Sequence, residues 1–124
     1  MTLYRVHMVL ARNDEFPEGS SRHGYDFVVP LDEQGRLDPA SWKSHAKDCV
    51  VRRFWVGEED QRGRLRHAGT NWFIDYDETV VGDEEPFFKL DRHAVKTGEY
   101  LSVNERDGEA HTFRIVSVEP YVKA

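Results

Sequence analysis

The sequence predicts a mainly β (α+β) fold: a small antiparallel, partly closed β-barrel or strongly curved sheet of six to seven strands, with one short helix near residues 38–47. Apolar and polar residues alternate in several short runs, which is typical of strands that bury one face. An Asp-Gly pair at 107–108 separates two such runs and is the strongest local indication of a hairpin. Only one helix is available for crossovers, so parallel βαβ units are not expected.

The terminal hairpin, residues 99–118, also predicts its own register. A two-residue loop would pair Leu101 with Arg114, which sets an apolar residue beside a polar one. A three-residue loop with Gly108 in the left-handed conformation pairs Leu101 with Phe113 instead. Because directly paired residues share a face of the sheet, the hydrophobic pattern favours the three-residue loop and a G1 bulge.

Local signals predict the other strands in chain order. Residues 2–11 alternate as a first strand, and residues 12–24, rich in Gly, Ser and Pro, indicate a long exposed loop. Tyr25 to Val29 form a short second strand that Pro30 ends. The remaining strands before the terminal hairpin are predicted over residues 49–56, 64–68, 72–76 and 87–90. The segment 91–97 fits either one helical turn or a tight bend.

One helix has clear start signals. Asp38 is a good N-cap, Pro39 suits the first helical position, and Leu37 with Trp42 occupies the two positions of a hydrophobic staple. Lysines late in the segment complement the helix dipole. We expect about ten residues of helix, covering one side or end of the sheet.

Length and composition predict one globular domain over residues 1–124. The chain is 39% hydrophobic and 32% charged, and no apolar run approaches the roughly 18 residues of a membrane span. The N-terminus alternates like a strand, so no signal peptide is expected. The single cysteine, Cys49, cannot form an intramolecular disulfide and precedes an apolar run, which indicates a buried, inert thiol. These features favour a soluble cytoplasmic protein.

Charge is distributed unevenly along the sequence. The net charge is −6, and residues 75–91 alone carry seven acids against one lysine, so the rest of the chain is formally neutral. Residues 52–67 hold five arginines against three acids. This polarity is suited to an oriented contact with another protein.

Motifs for catalysis or cofactor binding are absent from the sequence, so no cofactor and no metal are expected. The six histidines are not arranged at metal-ligand spacing. Ser20, Ser21 and His23 lie too close together on a predicted loop to indicate a nucleophile and its base.

One set of basic and aromatic residues is a candidate binding surface. Arg52 and Arg53 precede Phe54 and Trp55 on one predicted strand. The candidate set as a whole is Arg52, Arg53, Arg64, Arg66, His67, Trp72 and Tyr76. Such residues could stack the bases of single-stranded RNA while meeting its phosphates. The favoured alternative places Phe54 and Trp55 on opposite faces and pairs the arginines with the acidic segment 75–91.

The leading functional hypothesis is a non-enzymatic binding or regulatory module that contacts a protein partner through its charge-polarised surface. Binding of single-stranded RNA or another anion is the alternative, although the acidic net charge makes nucleic acid the weaker candidate. An enzyme would draw on titratable groups near predicted strand ends, namely His67, Asp75, Asp77, His93 and His111. That hypothesis requires at least three of them to converge in one pocket.

Overall fold

In the computed structural model, eight strands form a closed barrel. The structure describes residues 3–68, 71–76, 85–88, 94–104 and 110–122. The strands are β1 (Leu3–Leu10), β2 (Ser20–Pro30), β3 (Val50–Phe54), β4 (Gln61–Ala68), β5 (Asn71–Asp75), β6 (Glu85–Phe88), β7 (Tyr100–Asn104) and β8 (Ala110–Pro120). Each pairs antiparallel with the next, and β8 returns to pair with β1. The predicted fold class is confirmed, with one strand more than expected and full closure of the sheet.

The helix lies across one end of the barrel. Helix α1 (Pro39–His45) continues as a 3₁₀ turn over Ala46–Asp48, and the Asp38 carboxylate accepts hydrogen bonds from the backbone N–H groups of Ala40 (3.0 Å) and Ser41 (3.4 Å). The predicted N-cap is therefore confirmed. Trp42 fixes the helix to the sheet by donating its indole N–H to the carbonyl of Leu65 at 2.8 Å. We call this the helix end; the opposite end, where β2, β4 and β8 begin, is the loop end.

Side chains fill the barrel interior, as the size of an eight-stranded barrel allows. Alternation along β1 sends Val6 and Met8 inward, while Arg5 and His7 point outward. The largest fully buried side chains are Trp72, Tyr25, Phe27, Phe113 and Met8. No helix in the described ranges is long and apolar enough to cross a membrane.

The terminal hairpin has the register that the hydrophobic pattern predicts. Leu101 pairs with Phe113, and the backbone N–H of Ile115 donates to the carbonyl of Glu99 at 2.8 Å. Residues 105–109 lie outside the described residues, so the G1 bulge and the left-handed Gly108 stay predictions.

The second strand is longer than predicted. It begins at Ser20, so the prediction of an exposed loop over 12–24 is wrong for its last five residues. Pairing with β1 through Val9↔Gly24 and Leu10↔Ser20 draws this segment into the sheet across a bulge, despite its Ser and Gly content. Gly24 is needed there, because a Cβ at that position would lie 2.1 Å from the backbone carbonyl oxygen of Met8 on β1.

Candidate functional site

A row of charged side chains crosses the outer face of β1, β2 and β3. The register sets His7 opposite Asp26 and Asp26 opposite Arg52. His7 Nδ1 lies 2.5 Å from Asp26 Oδ1, Arg52 donates through Nε and Nη2 to Asp26 Oδ2, and Arg52 Nη1 donates to Asp60 at 2.9 Å. We call His7, Asp26, Arg52 and Asp60 the charged row.

The charged row favours the ionised form of its central carboxylate. Partial burial by itself would raise the pKa of Asp26, but hydrogen bonds and charges from Arg52 and His7 outweigh it and lower that pKa. Hydrogen bonding to Asp26 in turn raises the pKa of Arg52. The guanidinium of Arg52 is thus held in place by two carboxylates.

Phe54 is the aromatic residue on this outer face. Its ring stacks on the His7 ring at 5.6 Å with an interplanar angle of 9°, and the Arg52 guanidinium carbon lies 5.1 Å from the ring centroid. Trp55 turns to the other face and packs against the core. Phe54 and Trp55 therefore occupy opposite faces, as the favoured interpretation expected, and Phe54 contacts two members of the charged row.

A groove with a cavity volume of about 420 Å³ lies beside the charged row. Its lining brings together the guanidinium groups of Arg5, Arg52 and Arg62 and the apolar side chains of Val28 and Val50. Tyr121, Phe27, Asp26 and Asp48 complete it. We call it the arginine groove. Val50 is 38% exposed and Val28 only 6%, so Val50 is the apolar side chain of the groove that solvent reaches most.

Two arginines of the groove, Arg5 and Arg62, differ from Arg52 in their ion pairing. Arg52 is engaged by Asp26 and Asp60, whereas Arg5 contacts the Tyr121 ring at 5.7 Å. Within the described part of the chain, neither Arg5 nor Arg62 forms an ion pair. Their charges are therefore available to an anionic group that enters the groove.

The other predicted arginines do not form one stripe with Arg52. Arg64 is exposed on the outer face of β4, and Arg66 on the same face lies 3.4 Å from Asp75. Arg53 points into the barrel at the loop end, is 9% exposed and pairs with Glu58 at 3.1 Å.

The prediction that these arginines pair with residues 75–91 holds for Arg66 in the described structure. Arg52 instead pairs with Asp26 on β2 and Asp60 in the β3–β4 turn. Arg53 pairs with Glu58 of the same turn, and any pairing with residues 77–84 or 89–91 lies outside the described residues. The turn supplies Glu58 and Asp60 directly beside the strand that carries both arginines.

The predicted aromatic candidates are buried or partly buried. Trp72 is 1% exposed, and its ring lies 4.4 Å from that of His67 and 5.9 Å from that of Trp42 at the helix end. Tyr76 is partly buried against the core. None of these rings is presented to bases beside the outer arginines.

A second group of polar and aromatic residues closes the loop end. The Trp55 ring contacts His23 at 4.4 Å and His111 at 6.1 Å, and the Arg53 guanidinium carbon lies 4.4 Å from its centroid. His23 is 6% exposed and hydrogen-bonds through Nδ1 with Ser20 Oγ at 2.6 Å. We call His23, Arg53, Trp55 and His111 the loop-end cluster.

Burial lowers the pKa of His23 below 6.5; Glu15 opposes this shift, Arg53 adds to it and Glu58 opposes it. Burial therefore favours the neutral form of the imidazole. The loop predicted over residues 12–24 gives no reason for a hydrogen bond between His23 and Ser20, whereas strand β2 brings the two side chains together. In a strand, the pair serves to orient the buried ring.

The three described residues of the enzyme hypothesis do not converge. Among those that the structure describes, His67 lies at the helix end, His111 at the loop end and Asp75 on the outer face. Asp77 and His93 lie outside the described residues. No group of three His, Cys, Asp or Glu side chains in the described ranges is arranged to hold a metal ion.

Comparisons with known proteins add no relationship: no family model matches the sequence, and neither the curated proteins nor the solved structures contain a match.

Of the two outer features, the predicted candidate set includes only Arg52; among the members it lacks are Arg5, His7, Asp26, Asp60 and Arg62. The alternation in β1 already places Arg5 and His7 on one face, opposite Val6 and Met8. The alternation does not show which β2 residue pairs with His7, because a connection of nine residues separates β1 from β2 and leaves their register open.

Proposed function

We propose that this protein is a small binding module that docks an acidic segment of a partner protein in the arginine groove. The observation that carries the proposal is the pair of arginines, Arg5 and Arg62, that line a groove together with the exposed Val50 and form no ion pair among the described residues. The buried Cys49 thiol suits a reducing compartment, and we place the binding in the cytoplasm.

The composition of the groove favours a peptide over nucleic acid. Arg and Tyr are enriched in protein interfaces, and the groove supplies both around Val28 and Val50, which suit an aliphatic side chain. Binding of single-stranded RNA relies on rings that stack bases, yet Trp72 is buried and Phe54 already stacks on His7. An acidic segment that also carries apolar residues matches both parts of the surface.

The test is a calorimetric titration of the protein with a short peptide of alternating Glu and Leu residues, which measures the dissociation constant. It is done at about 50 mM salt, where surface charges are weakly screened. Arg62→Gln should weaken binding about threefold, and the double variant with Arg5→Gln about tenfold, because each exposed charge pair contributes up to about 1 kcal/mol.

Arg64→Gln is the matched control. It removes the same charge from the same face of β4 but from a residue that does not line the groove, so it should leave the dissociation constant unchanged. Equal weakening by Arg62→Gln and Arg64→Gln would indicate attraction by overall charge and refute the site. Tighter binding of single-stranded oligouridine than of the peptide would make the nucleic-acid hypothesis the leading one.

A further inference from the structure

The inward-facing positions of the barrel change from apolar to polar at the loop end. Three strands, β2, β3 and β8, place His23, Arg53 and His111 on the face that carries the core residues of the same strands. Burying a guanidinium and an imidazole costs free energy that an apolar residue at these positions would not. A barrel that was filled only for stability would therefore continue its apolar layers to this end.

Trp55 joins the polar residues into one cluster. The Arg53 guanidinium lies over its ring at 4.4 Å, the His23 ring meets it edge-on at 4.4 Å, and the Phe16 ring lies 4.8 Å from that of His23. The cluster therefore combines one cation with several aromatic surfaces. Such a combination at the mouth of a barrel is typical of a site for a small organic ligand.

Glu58 already places a carboxylate against the guanidinium of Arg53. Its carboxylate accepts a hydrogen bond from Arg53 Nη1 at 3.1 Å, yet its side chain is 52% exposed in the turn between β3 and β4, while that of Arg53 is 10% exposed. A carboxylate thus approaches the buried guanidinium from the solvent side. Because Glu58 is exposed, its carboxylate can leave Arg53 for solvent, and another carboxylate from solvent can take its place.

We propose that the loop-end cluster is a binding site for a small aromatic carboxylate, and that Glu58 occupies the carboxylate position until a ligand displaces it. The ligand carboxylate pairs with Arg53, and its ring packs among Trp55, His23 and Phe16. This site lies inside the barrel end and is independent of the arginine groove on the outer face, so either proposal can fail without the other.

The experiment titrates ¹⁵N-labelled protein with naphthoate and follows the indole N–H resonances of the three tryptophans. Trp55 should shift in a saturable manner. Trp42, whose indole N–H is bonded to Leu65 near the helix end, and the buried Trp72 should not, which makes them internal controls. Equal shifts of all three indoles, or no saturable shift, would overturn the proposal.

Two substitutions assign the anion site. Glu58→Gln removes the competing charge from an exposed position and should tighten naphthoate binding about fivefold. Arg53→Met should weaken it more than about tenfold, since a charge-assisted hydrogen bond is lost, whereas Arg64→Met on the outer face should have no effect. If Arg53→Met does not fold, Glu58→Gln decides alone: an unchanged or weaker affinity in that variant refutes the displacement of Glu58.

Discussion

Replacement of Asp26 by Asn tests the charged row, because it keeps the side-chain shape and removes the charge that holds His7 and Arg52. Asp26 is 21% exposed and accepts hydrogen bonds from the His7 ring and the Arg52 guanidinium. Charge-assisted hydrogen bonds contribute up to about 3 kcal/mol each, but the half-exposed Arg52 reduces the gain through solvent screening. We expect a loss of about 1–2 kcal/mol in the free energy of unfolding.

That loss corresponds to a lower melting temperature by about 4–8 °C for a chain of 124 residues. The assay is thermal unfolding followed by near-ultraviolet circular dichroism at pH 7. Asp60→Asn is the matched control: its more exposed carboxylate accepts one hydrogen bond from Arg52 Nη1, and it should lower the melting temperature by less than about 2 °C.

The difference in melting temperature between the wild type and Asp26→Asn should also depend on pH. The folded-state pKa of Asp26 lies below its ordinary value of 3.8, so the stabilisation is fully present above that pH and is lost as the pH falls through the folded-state pKa. Melting curves from pH 7 downward should converge at the acidic end. Equal melting temperatures at pH 7, or a difference that persists at the lowest pH, would refute this role of the charged row.

Two further predictions concern the helix and the thiol. Asp38→Ala should cost about 1 kcal/mol of stability, since the carboxylate caps the first turn of α1 through Ala40 and Ser41; an unchanged urea midpoint would contradict this cap. Burial, with a smaller contribution from Asp48, raises the pKa of Cys49 to about 12, so the thiol should react with Ellman's reagent only after unfolding. Rapid labelling of the native protein at pH 8 would show that the thiol is accessible.

The sequence was sufficient to predict the elements that depend on residues close together in the chain, namely the helix start and the terminal hairpin. The helix start followed from Asp38 and Pro39, and the terminal register followed from matching Leu101 with Phe113, because caps and hairpin pairs depend on residues close in sequence. The start of β2 at Ser20 did not follow, since pairing with β1 overrides the loop preference of its Ser and Gly residues.

The candidate sites depended on information that is not local. Two consecutive arginines, Arg52 and Arg53, must point to opposite faces of a strand, and the sequence does not tell which one enters the barrel. The charged row requires the β1–β2 register, which a connection of nine residues with a bulge conceals. The arginine groove further requires Tyr121, which reaches Arg5 because the segment after β8 runs beside the start of β1.

The pairing of β8 with β1 has a consequence for how this protein is made. During synthesis, β1 emerges long before the strand that completes its hydrogen bonds, so one edge of the sheet stays open until β8 has left the ribosome. Contacts between such distant segments also slow folding. The same pairing brings Tyr121 within 2.8 Å of Leu3, backbone nitrogen to carbonyl oxygen, so a short peptide could join the two strands. A circular permutant opened between β3 and β4 would keep every strand pair. In that permutant β4 would be made first and β3 last, so the pair β3–β4 would close the barrel instead of β1–β8.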